Sequence, residues 1–158
     1  MLVVAVAAVG FGAHFEAVRL AKLSRSYGRQ AAFHARSIAL YRGFVSLSRD
    51  SLEIHRNILT DFDQQLAQLT ASQLKHDFAQ LINDLLEMRP GLLEDLRYCS
   101  RQIGGNEKLV RYHERLFKKY TRLSRYPWLT AAPDSPEPPD PLDELPPNWR
   151  PSWMPKDR

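Results

Sequence analysis

A chain of 158 residues, 44% hydrophobic and 25% charged, holds one domain at most plus its ends. Its single cysteine, Cys99, excludes an intrachain disulfide and a cysteine metal cluster. The net charge of +4 is laid out in blocks: seven basic and no acidic groups over 19–49, four against eight over 51–100, eight against two over 101–126, and five acidic with none basic over 130–145. Such blocks favour folding back or pairing over uniform nucleic-acid binding.

Met1 to Phe15 carry no charge, and a basic stretch with Arg19, Lys22, Arg25 and Arg29 follows. Extended to Val18, the run predicts a membrane anchor helix over 1–18, although a span takes about 20 apolar residues. Polar His14 and Glu16 fall near the basic end, where they reach headgroups at reduced cost. A cleaved secretory signal and a buried core helix are the competing readings. If the helix spans, the basic flank places the C-terminal bulk in the cytoplasm, as a single-pass protein.

Region 19–126 reads as helical. Ile38, Tyr41, Val45, Ser48, Leu52, His55, Leu59, Phe62, Leu66 and Leu69 alternate steps of three and four, the spacing of a coiled-coil or hairpin seam. Asp50 with Glu53 offers a capping box that would break the rod near 49. The seam slips at Thr70-Ala71-Ser72 and resumes one residue out of phase from Leu74 to Met88, as a stutter or a short turn would make it. Pro90-Gly91 predicts a stronger break. A short helix over 92–102 then ends at Gly104-Gly105, Asn106 caps a last helix, and Pro127 terminates it. Ten of the eleven prolines fall at or after Pro127, so 127–158 reads as a largely irregular, proline-rich tail. The expected fold class is all-α: an N-terminal membrane helix continuing into a long helix, an antiparallel coiled-coil-like hairpin or bundle, and that tail.

Few residues suggest chemistry. His34, His55 and His76 are spaced by 21, which along one helix separates them by about 31 Å. They cannot share an ion, but in a parallel dimer each would face its own mate. Glu53 precedes His55 by two rather than three, so a di-iron pair is missing, and Gly104-Gly105 lacks phosphate-loop spacing. No catalytic residue, cofactor or metal is expected. Lys108, Arg111, Arg115, Lys118, Lys119, Arg122 and Arg125 make the last helix basic. Pairing with the chain's own acidic segments is its favoured use, ahead of anionic lipid and of nucleic acid. Trp128, Trp149 and Trp153 are unusual in a solvated tail. With Lys118, Lys119 and Arg122 they are the candidate partner-binding residues.

Tyr27, Ala31-Ala32-Phe33-His34-Ala35-Arg36, Tyr112-His113, Leu116, Lys119-Tyr120, Pro127-Trp128-Leu129, Pro133-Asp134 and Pro136-Glu137-Pro138 form a broken pattern. It resembles a group of short, N-terminally anchored proteins of unassigned activity from planctomycete-type bacteria. The resemblance implies membrane anchoring, and basic residues ahead of the apolar run. This run begins at Met1 instead, so the resemblance implies either an anchor truncated here or a true start that lies upstream.

The sequence thus reads as a non-catalytic, membrane-anchored helical scaffold. It would hold a protein partner or a second copy of itself, with nucleic acid disfavoured. The alternative is a soluble or peripheral helical protein that uses its basic last helix on anionic lipid or nucleic acid.

Overall fold

The computed structural model describes residues 2–71 and 78–141, with side chains from residue 13 onward. Two helices account for most of them: α1, Leu2–Ala71, and α2, Ala79–Arg125. They belong to two compact units, the first Met1–Tyr41 with Lys108–Pro138 and the second Arg42–Glu107 with Pro139–Arg158. Within each unit α1 and α2 pair antiparallel. In the second unit, Arg89 holds Asp63 at 2.9 Å, His55 faces Asp95 at 3.8 Å, Cys99 lies 3.6 Å from Ser51, and Arg49 binds Glu107 at 2.8 Å. As one number falls, the other rises. The fold class is therefore all-α, as the three-and-four spacing predicts.

The membrane helix is corrected. Among the described residues no helix is long and apolar enough to cross a membrane. The charge-free run is itself shorter than a span. Behind it α1 continues exposed, with Glu16 and Arg19 in an ion pair at 2.6 Å. The 1–18 segment is the opening of a 70-residue helix rather than a separate element. Side chains 1–12, on which part of the expectation rests, lie outside the described residues. The single-pass placement, its cytoplasmic orientation, membrane attachment through the N-terminal helix and the membrane-anchored scaffold all fall with this correction.

The expected breaks are corrected too. α1 runs through Asp50, and α2 runs through Pro90, Gly104, Gly105 and Asn106. Pro90 is solvent-exposed, so the Leu86 carbonyl that loses its intrahelical donor can turn to water. Seam contacts on either side outweigh the local cost, as tertiary packing routinely does to propensity. The slip at 70–72 falls where the described part of α1 closes at Ala71; residues 72–77, on which the choice between stutter and turn rests, lie outside the described residues. The α2 helix ends where expected: the Tyr126 amide donates to the Arg122 carbonyl at 3.0 Å, and Pro127 follows.

Candidate functional site

The core of the first unit is a ladder of rings drawn alternately from the two helices. Tyr27, His34 and Tyr41 stand seven residues apart on α1, and His113 and Tyr120 seven apart on α2. Seven residues are nearly two helical turns, so each set lines one face. They interleave in the order Tyr41, His113, His34, Tyr120, Tyr27, with ring centres 5.4, 5.2, 5.6 and 6.0 Å apart. Ala31, Tyr112, Leu116 and Leu123 fill the space around them. At the centre, the Nδ1 atoms of His34 and His113 approach to 2.9 Å, both residues being buried. One ring donates there and the other accepts. Burial lowers the pKa of each; for His34 the neighbouring His113 lowers it further, while Asp134 and Glu137 oppose the shift.

The proline-rich segment is strapped to this core by acids. Lys119 donates to the Ala132 carbonyl and to Asp134. The Tyr120 hydroxyl donates to the other Asp134 oxygen at 2.5 Å. These hydrogen bonds, from Lys119 first and Tyr120 second, hold the Asp134 carboxyl below its usual range. Burial and then the Asp134 bond push the Tyr120 hydroxyl up to about 12. Glu137 stands 3.8 Å from His113 Nε2. Part of the basic helix is thus neutralised by its own chain, the use that the charge blocks favour.

Other cations remain on the surface. Lys108, Arg111, Arg115 and Lys118, with Glu114 and Pro138, line an open groove of about 480 Å³. Lys22, Arg25 and Arg29 line another on α1. The Ser24 hydroxyl donates to the Ser124 carbonyl at 2.7 Å, which holds the early part of α1 beside the end of α2. That end therefore gathers Lys22 and Arg25 with Arg122 and Arg125. Tyr126 and Trp128 are exposed there, and Phe15 and Val18 are exposed nine and six residues before Ser24 on α1.

The sequence candidates divide accordingly. Trp128 is 64% exposed and meets Tyr126 edge-on at 5.6 Å, while its neighbour Leu129 packs on the core. Arg122 is exposed beside it, Lys118 lines the α2 groove, and Lys119 is engaged by Asp134. Trp149 and Trp153 lie outside the described residues, as does His76. His34 meets His113 of its own chain, and His55 meets Asp95, so neither needs a mate in a parallel dimer. The ladder escaped the sequence reading, although the spacing of Tyr27, His34 and Tyr41 was there to find it. No cluster of three or more potential metal ligands occurs among the described residues. No family model, curated protein or solved structure matches the chain.

Proposed function

We propose that this is a non-catalytic helical protein that attaches peripherally to anionic lipid surfaces through one end of its first unit. The observation that carries this reading is the set of exposed Tyr126 and Trp128 beside Arg122 and Arg125, with Lys22 and Arg25 brought alongside by the Ser24–Ser124 bond. Cations near an anionic bilayer contribute about 1 kcal/mol each. Exposed aromatic and aliphatic side chains enter the headgroup region and add apolar burial. The first unit spans twelve basic and four acidic residues, a balance of +8, which supports the same reading. Nucleic acid would take the cations but gives Phe15 and Val18 nothing to enter.

Cosedimentation with vesicles tests it. Neutral phosphatidylcholine should leave the protein in solution. Vesicles containing phosphatidylserine should carry it down at low salt and release it as salt screens the charges. Arg122→Glu with Arg125→Glu should weaken binding by about tenfold or more, and Trp128→Ala by a smaller factor. Binding to duplex DNA with vesicles ignored would replace this reading by nucleic-acid binding.

A further inference from the structure

We infer that a second copy of this chain covers one face of the second unit, antiparallel to the first. The inference is independent of the lipid reading. In this unit the seam on α1 runs Val45, Ser48, Leu52, His55, Leu59 and Phe62, and that on α2 includes Ile82, Leu85 and Arg89. Leu47, Ile54 and Ile58 each precede an α1 seam residue by one, as Leu81 and Met88 do on α2. One residue is a rotation of about 100°. Because the helices are antiparallel, that rotation carries both sets to the same side of the pair. The residues one step after the α1 seam, Arg49, Glu53 and Arg56 among them, are polar and occupy the opposite side.

The five apolar side chains on the shared face are 44–66% exposed. At roughly 200 Å² each they present about 500 Å² of apolar surface. A standard interface buries about 800 Å² per partner, a little over half of it apolar. The face therefore has the area a stable dimer needs, and among the described residues its five apolar side chains stand exposed.

Charge selects the occupant. The span 42–107 holds seven basic and ten acidic residues, which disfavours an anionic surface. Asp61 and Asp84 each precede a seam residue by one and so lie on this face toward the Ala71/Ala79 end, while Leu47, Ser51 and Ile54, at the same step toward the other end, carry no charge. An antiparallel copy sets each acidic end against an uncharged one, where a parallel copy would stack like on like.

Light scattering and sedimentation of the full chain at micromolar concentration decide the matter. Wild type should have twice the 18.2 kDa chain mass. Leu47→Asp with Ile54→Asp should dissociate it, weakening association by about a hundredfold, with the helical dichroism unchanged. Leu86→Asp, on the opposite side, should leave the dimer intact. If the double variant loses helicity, Met88→Lys on the other helix becomes the deciding substitution. A single-chain mass for wild type, or a face variant that folds and still dimerises, overturns the inference.

Discussion

His34 and His113 place two imidazole nitrogens 2.9 Å apart, and only one proton fits between them. Protonating both rings sets like charges together at a buried site. Because both pKa values are lowered on folding, the unfolded chain binds more protons just below the ordinary histidine value of 6.5. The stability from the neutral pair is present above that value and declines as pH falls through it. Thermal melts followed by circular dichroism should therefore show a falling midpoint from pH 7.5 to 5. His34→Phe, which keeps a ring against Tyr120, should flatten that slope. Asp134 works at a lower range: its carboxyl is held below 3.8, so its contribution is present above that pH and lost as acid protonates it. Tyr120 has the opposite sign. Its contribution is full below pH 10 and fades as pH rises toward about 12. The seven-residue spacing of these rings is legible in the chain. Their partners are not, because a periodicity of seven suits a mate in a dimer as well as an antiparallel helix of the same chain.

Glycines within helices show where element-scale rules give way to packing. Gly104 and Gly105 look like a helix stop, since each lowers propensity by about 1 kcal/mol, yet α2 passes through both. A Cβ on Gly104 would meet nothing within 4 Å, whereas one on Gly105 would fall 2.3 Å from Cγ of buried Pro141. Gly105 is therefore the place where a tail proline lies directly on the helix, and Gly104 is not under the same constraint. Gly104→Ala should raise stability by about 1 kcal/mol, while Gly105→Ala should gain less or lose stability by displacing Pro141. Denaturant titrations of the two variants side by side check this. The helical class, the long seam and the irregular course of 127–141 were readable because each repeats a local signal many times, while the rest of the expected tail, 142–158, lies outside the described residues. Continuity through Pro90 and Gly105 was not, because it depends on contacts from residues far away in sequence. The anchor expected at 1–18 failed for a related reason: an apolar stretch of this length suits several structural settings, and composition alone does not choose among them.

At the scale of the whole molecule, antiparallel pairing orders the contacts by the length of chain they enclose. Asp63 and Arg89 are 26 residues apart and Ser51 and Cys99 are 48 apart, whereas His34 and His113 are separated by 79 and Ser24 and Ser124 by 100. Each doubling of an enclosed loop costs about 0.6 kcal/mol of closure entropy. The second unit should therefore close early in folding, and the ring ladder of the first unit late. Stopped-flow kinetics make the order visible. Phe62→Ala removes a buried side chain from the second unit and, at a cost of about 3 kcal/mol, should act mainly by slowing folding. Leu116→Ala, in the first unit's core, should act mainly by speeding unfolding. The bond between Ser24 and Ser124 is the most distant of these in sequence, so it closes last and opens first. The chain completes the end proposed to meet lipid only at the last step of folding, and an incompletely folded molecule would lack the surface proposed to hold it at a bilayer.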